Sequence, residues 1–108
     1  MPCSRHLIGN PGQIFRFRIT NVQNVLACVG RLRITGPATG HTQTFTLGEL
    51  QNGIEWQLQD DMSYNLRIIT QPDDPAESSR ITAQTSAGEA TCSRDGAGQI
   101  AEWTIDVL

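Results

Sequence analysis

Apolar and polar residues alternate along much of this chain. Between residues 14 and 20, apolar side chains occupy the odd positions from Phe15 to Ile19 and arginines occupy positions 16 and 18. Residues 29–35 repeat this pattern, with Leu32 and Ile34 on the apolar face. A period of two is typical of a β-strand with one buried face. Similar segments predict strands at 42–47, 54–59, 64–70 and 100–108, with 81–85 and 89–93 as two further candidates.

Clusters of Gly, Pro, Asn and Asp separate these segments at roughly the spacing of antiparallel all-β folds. Asn52-Gly53 is a strong hairpin signal, and no segment places its apolar residues at helical spacing. We therefore predict an all-β fold in which about seven strands form a two-sheet antiparallel sandwich with immunoglobulin-like Greek-key topology. An open barrel is the alternative. No linker or internal repeat interrupts the chain, so residues 1–108 are predicted to form a single β-sandwich domain.

The second half of the chain carries strand and turn motifs in a characteristic order. A Thr-rich strand precedes an acidic turn, and the next strand begins at Tyr64 and ends in Gln71-Pro72. Cys92, a Gly-containing turn and a terminal strand follow. This order resembles that of the immunoglobulin-like repeat domains of bacterial surface proteins and lipoproteins. The corresponding segments are 42–47, 60–61, 64–72, Cys92, 95–98 and 103–107, within a resemblance that covers roughly residues 29–108.

The resemblance implies a module on a bacterial cell surface or in an extracellular assembly, without catalytic chemistry of its own. Two features depart from the family. About twenty residues separate Pro72 from Cys92 where the family has a handful, and Leu108 stands in place of a terminal cysteine. No disulfide pairing is therefore carried over from the family.

Composition excludes some classes of function. The net charge of −3 argues against a nucleic-acid binder, which would normally carry a strong positive field. No apolar run reaches the ~20 residues of a membrane-spanning helix. The first ten residues lack the apolar core of a signal peptide. An extracellular location therefore fits this chain only as a mature domain.

The chain contains three cysteines, and an odd number leaves one thiol over when two form a bridge. In a reducing compartment all three would stay reduced. For an oxidising compartment we predict a Cys28–Cys92 bridge and assign no role to Cys3. No Cys-x-x-Cys motif or Cys/His cluster indicates a zinc site.

Catalytic and metal-binding residues are sparse. His6 and His41 are the only candidate bases, and neither accompanies a nucleophile motif, so we predict that the chain is not an enzyme. We predict no cofactor and interpret the acidic pairs mainly as solvated turn aspartates. Calcium is the one candidate cofactor, since Ca²⁺ takes several oxygen ligands. Asp60, Asp61 and Asp95 could converge at one end of the sandwich. Asp73-Asp74, at the other end of the strand that follows Asp61, could not join them.

Outward-facing arginines give the sharpest functional hypothesis. In an immunoglobulin-like strand order, the first, second and fifth predicted strands share a sheet. Five arginines would then form one basic, partner-binding face, while Glu102 and Asp106 would lie on the opposite sheet. The alternative is a solvated sheet whose arginines prevent aggregation. The residues of the predicted face are Arg16, Arg18, Arg31, Arg33 and Arg67.

The sequence therefore predicts a non-catalytic β-sandwich module that acts by protein–protein contact, as a surface or secreted domain or as a self-assembling structural subunit. Its partner would be another protein or a further copy of itself. In a self-assembly, the basic face of one copy would meet the acidic face of the next. The alternative function is a glycan- or calcium-binding module that uses the loops around Asp60, Asp61 and Asp95.

Overall fold

The alternating segments form the two layers of a β-sandwich. The computed structural model describes residues 3–108, in which there are nine strands and one short helix. The elements are β1 (Cys3–Gly9), β2 (Ile14–Gln23), β3 (Ala27–Thr35), β4 (Gly40–Thr46), α1 (Leu47–Asn52), β5 (Ile54–Gln57), β6 (Ser63–Gln71), β7 (Ser78–Thr85), β8 (Gly88–Asp95) and β9 (Gly98–Val107).

One layer is a five-stranded sheet in the order β1-β9-β6-β3-β4, and the other is a four-stranded sheet in the order β5-β2-β7-β8. Neighbouring strands are antiparallel except β1 and β9, which run parallel. The prediction of an all-β, two-sheet sandwich is confirmed, with nine strands in the described residues where about seven were predicted. Both candidate strands between residues 78 and 95 are present, as β7 and β8.

The inward-facing residues of both layers meet in one core. Phe15, Phe17 and Trp103 are almost completely buried, and the rings of Phe17 and Trp103 pack edge to face with centroids 5.1 Å apart. Trp56 is 9% exposed and packs against Phe15 at 5.3 Å. Alternation along β5 and β9 places both tryptophans on the inner faces of their sheets. Aromatic side chains bury large apolar areas, so these contacts contribute strongly to holding the layers together.

Strand β1 is absent from the sequence prediction. Its outward and inward positions do not differ clearly in polarity, because Arg5 lies on the same side of the strand as Cys3 and Leu7. Arg5 reaches over the edge of the sandwich, where its guanidinium donates a hydrogen bond to the Thr91 carbonyl of β8. Pairing with β9, rather than local alternation, fixes this segment as a strand.

A helix stands where the sequence indicated a hairpin at Asn52-Gly53. The Thr46 hydroxyl accepts a hydrogen bond from the Glu49 amide, and the Glu49 carboxylate accepts one from the Thr46 amide. This reciprocal capping box begins a helical turn, and Gly53 follows it with a φ of 107° that favours glycine. Asn52 therefore ends α1 rather than starting a two-residue turn.

Helix α1 is held against the sandwich by one buried side chain. Leu50 is fully buried over Gly30 of β3, where an added Cβ would lie 3.0 Å from a Leu50 methyl group. The absence of a side chain at Gly30 thus lets α1 approach β3. The helix in the described part of the chain is too short to cross a membrane.

Candidate functional site

The five arginines predicted to share one face lie on both layers. Arg16 and Arg18 lie on β2, in the four-stranded sheet, whereas Arg31, Arg33 and Arg67 lie on β3 and β6, in the five-stranded sheet. The predicted five-arginine face is therefore wrong. Alternation correctly predicted that these side chains point outward, but it cannot show which layer a strand joins. The chain changes layer in the turn between β2 and β3.

The predicted acidic sheet is also wrong. Glu102 and Asp106 lie on β9, in the same sheet as three of the arginines. Arg67 Nη2 lies 3.6 Å from Glu102 Oε1, and His6 Nδ1 lies 3.1 Å from Asp106 Oδ2. The outer face of the five-stranded sheet is therefore acidic towards β9 and basic towards β3.

The basic part of this face is an arginine cluster formed by Arg31, Arg33 and Arg67. Arg31 lies directly opposite Arg67 in the β3–β6 register, and Arg33 lies opposite Asn65. These four side chains and Thr42 of β4 line a shallow cavity of about 280 Å³. Like charges directly opposite each other on neighbouring strands destabilise a sheet. The arrangement therefore has a cost that an incoming anionic group would reduce.

Only one member of the arginine cluster has a carboxylate partner in residues 3–108. Arg67 lies close to Glu102 and donates a hydrogen bond from Nε to Asn65 Oδ1 at 3.2 Å. Asn65 in turn donates to Glu102 Oε1 at 3.0 Å. Within that part of the chain, Arg31 and Arg33 have no ion-pair partner. Their guanidinium groups are therefore available to an external carboxylate, sulfate or phosphate.

An apolar row, formed by Val29 of β3 and Ile69 of β6, lies beside the arginine cluster. Val29 is 37% exposed and pairs with the half-buried Ile69 one row from Arg31 and Arg67. Leu26, in the turn that precedes β3, is 60% exposed. The sequence prediction missed this row, although an outward-facing apolar residue in an alternating strand is a signal that could have revealed it. Together with the arginine cluster, this apolar row gives the outer face both charge and apolar area.

The other two arginines of the predicted five-arginine face line a different cavity. Arg16 and Arg18 flank a groove of about 550 Å³ on the four-stranded sheet, beside Gln84 and Ser86. Arg16 Nε lies 3.1 Å from Glu55 Oε2, so one of the two positive charges is already paired. This groove is larger than the cavity at the arginine cluster but is less basic.

The three carboxylates proposed as calcium ligands do not come together. Asp60 and Asp61 precede the first residues of β6, which pair with the end of β9 near Ile105. Asp95 ends β8, shortly before Gly98, which pairs with Thr70 near the end of β6. The length of β6 therefore separates the two sites, and the predicted convergence is wrong. Residues 3–108 contain no group of three acidic, His or Cys side chains able to hold a metal ion.

The predicted Cys28–Cys92 bridge is wrong as well. Cys92 of β8 is bonded to Cys3 of β1, and Cys28 is a free, buried thiol. The strand order explains this pairing, because β1 and β8 are edge strands on the same side of the sandwich. Strands β9 and β6 separate β1 from β3, which carries Cys28. Burial raises the pKa of the Cys28 thiol from 9.0 to about 11.

The outer face of the five-stranded sheet is thus the candidate site, formed by the arginine cluster and its apolar row. Arginine together with exposed apolar side chains is typical of protein-binding surfaces. Comparison of the chain with protein-family models, curated proteins and solved structures found no match.

Proposed function

We propose that this chain is a non-catalytic β-sandwich module that binds an acidic partner protein through the outer face of its five-stranded sheet. The observation that carries the proposal is the arginine cluster, in which Arg31 and Arg33 have no carboxylate partner in residues 3–108. A partner carboxylate would relieve the repulsion between Arg31 and Arg67 and accept charge-assisted hydrogen bonds from them.

The neighbouring apolar row supports a protein as the partner. Protein interfaces combine a desolvated apolar centre with Arg and aromatic residues. Val29 and Ile69 would supply apolar contact area, and Arg31 and Arg67 would lie at its border. A free small anion would use the arginines but would gain nothing from the apolar row.

The Cys3–Cys92 disulfide supports a location outside the cytoplasm. Disulfides form and persist in oxidising compartments such as the cell exterior and the bacterial periplasm. Combined with the resemblance to bacterial surface repeats, this makes a surface-exposed or secreted assembly the proposed setting. The partner would then be another component of that assembly.

A synthetic peptide in which Glu and Val alternate tests the proposal. We expect calorimetry to detect binding that weakens as salt rises, because the contacts are ionic. Substituting Arg31→Gln together with Arg67→Gln should weaken binding at least about tenfold. In NMR spectra of the wild type, the peptide should shift the amide signals of β3 and β6.

The chain supplies a matched control in the arginines of the other layer. Arg16→Gln with Arg18→Gln removes the same charge from the four-stranded sheet and should leave peptide binding unchanged. A peptide with Gln in place of Glu should not bind. Equal losses in the two double variants would refute a specific face. Tighter binding of heparin oligosaccharides than of the peptide would favour a glycan-binding function, and a rise in melting temperature with calcium would favour a metal-binding one.

A further inference from the structure

Strand β4 is an edge of the five-stranded sheet that lacks the usual protection of edge strands. Its sequence, GHTQTFT, contains no proline and no Asp, Glu, Lys or Arg. It pairs with β3 over seven residues without a bulge. Edge strands normally avoid association through charge, proline, bulges or short length. None of these features is present in β4.

The other three edge strands are protected. Strand β1 carries Arg5 and is covalently linked to β8. Strand β8 itself carries Glu89, Arg94 and Asp95. Strand β5 has only four residues and includes Glu55. Charge, a cross-link or short length thus protects every edge of the two sheets except β4.

We propose that β4 pairs with β4 of a second copy of this chain, in antiparallel orientation about a twofold axis. Six of the seven β4 residues are exposed and the seventh, Phe45, is half-buried, so the unpaired edge is open to a second strand. In the described residues β3 is the only strand that pairs with β4, and the short helix that follows it contacts β2 and β3 as well as β4. Antiparallel pairing would satisfy backbone groups that now face water.

The sequence of β4 is complementary to itself in this arrangement. Full overlap of residues 40–46 places the twofold axis at Gln43, so that Thr42 lies opposite Thr44 of the second copy. Both threonines are on the outer face, where cross-strand Thr pairs stabilise antiparallel strands. An acidic peptide strand at the same edge would lack these symmetric Thr pairs, which is why a second copy is the favoured occupant.

The charges on β3 allow this pairing. In this register Arg33 would lie level with Arg31 of the second copy, three strand spacings or about 14 Å away. This distance exceeds the Debye length of about 8 Å at physiological ionic strength, so their repulsion is largely screened. The pairing would also join two arginine clusters into one ten-stranded sheet. If the proposed function holds, the dimer would offer a bivalent face to an acidic partner.

Two charge variants of β4 test the pairing by sedimentation equilibrium over a wide concentration range. We expect the wild type to form a weak, concentration-dependent dimer, since edge pairing buries little area. Thr42→Lys with Thr44→Lys places like charges opposite each other and should raise the dimer Kd about tenfold, as should Thr42→Glu with Thr44→Glu. Mixing the Lys and Glu variants should restore association as a heterodimer, which native mass spectrometry can identify.

Ser4→Lys is the matched control, because Ser4 lies on β1 at the opposite edge of the same sheet. It should leave the dimer intact. A monomeric wild type, a dimer unaffected by the β4 charges, or oligomers disrupted by Ser4→Lys would each overturn the proposal. Arg31→Gln with Arg67→Gln should preserve the dimer while weakening peptide binding at least about tenfold, so the two proposals can fail independently. Rising salt should leave this dimer intact, in contrast to its effect on binding of the acidic peptide.

Discussion

Cys28 is a thiol in an apolar environment on the inner face of β3. It is 5% exposed, it is not part of the disulfide, and burial raises its pKa to about 11. At neutral pH it is therefore protonated and acts as a small apolar side chain. A buried, protonated thiol is a poor nucleophile, so Cys28 is expected to serve packing rather than chemistry.

This thiol makes stability sensitive to alkaline pH. The folded state holds the Cys28 proton more tightly than the unfolded chain, so the stabilisation is complete below pH 9 and is lost as the pH rises towards 11. We expect the advantage of wild type over Cys28→Ala, measured by urea denaturation, to shrink by about 2 kcal/mol across that interval. Because the two proteins share every other titrating group, the difference between their stabilities isolates the contribution of Cys28. A constant difference between the two proteins would contradict the prediction.

At the scale of elements, α1 depends on its N-cap residue, Thr46. The Thr46 hydroxyl accepts the Glu49 amide hydrogen bond at 3.3 Å, while Leu50 fills the space above Gly30. A six-residue helix is too short to be stable alone. The capping box and this single buried leucine therefore decide whether the segment between β4 and β5 is helical.

We expect Thr46→Ala to lower the free energy of unfolding by about 1 kcal/mol, because it leaves the Glu49 N–H without its partner. Thermal denaturation should show a fall in melting temperature of about 4–8 °C. Thr46→Ser keeps the hydroxyl and should retain most of the stability. If the Ser variant loses as much as the Ala variant, the effect comes from β4 packing and not from the cap.

Elements differed in how far the sequence could predict them. Strands β2, β3 and β6 alternate strongly, and their predicted bounds are close to those of the structure. Strand β1 lacks this pattern because Arg5 occupies an inward position and extends past the sheet edge. At Asn52-Gly53, the hairpin signal was overridden by a capping box six residues upstream. Reading Thr46 and Glu49 as a pair would have predicted the helix.

The candidate site was predicted only in part, for a physical reason. Alternation reports whether a side chain faces the core, so it predicted the exposure of Arg31, Arg33 and Arg67 correctly. The layer that each strand joins depends on contacts between distant residues, which no local pattern encodes. Arg16 and Arg18 were therefore assigned to the wrong sheet. The same limitation applies to the cysteines, whose pairing follows from strand order.

For the molecule as a whole, the Cys3–Cys92 bridge joins the two layers at the side where β1 and β8 form the sheet edges. It encloses most of the chain, with a sequence separation of 89 residues. In the chain-entropy treatment, a cross-link over a loop of this length lowers the entropy of the unfolded chain and so raises its free energy by about 4–5 kcal/mol. That amount is a large part of the stability of a typical domain.

We expect Cys3→Ser with Cys92→Ser to lower the free energy of unfolding by about 2–5 kcal/mol in urea denaturation. A reductant should destabilise the wild type by the same amount and leave the double variant unchanged. Cys28→Ala serves as the control and should keep its response to the reductant. An equal midpoint for oxidised and reduced wild type would show that the bridge contributes nothing.

The same bridge determines how the domain bears mechanical load. Tension applied between residues 3 and 108 passes from Cys3 directly to Cys92, so the folded chain between them is bypassed. Only residues 93–108 can then be pulled straight, over about 55 Å, compared with about 360 Å for the reduced chain. Because β9 runs parallel to β1, that pull shears all of the β1–β9 hydrogen bonds together. Oxidation thus turns a protein that could unravel completely into a short, nearly inextensible link.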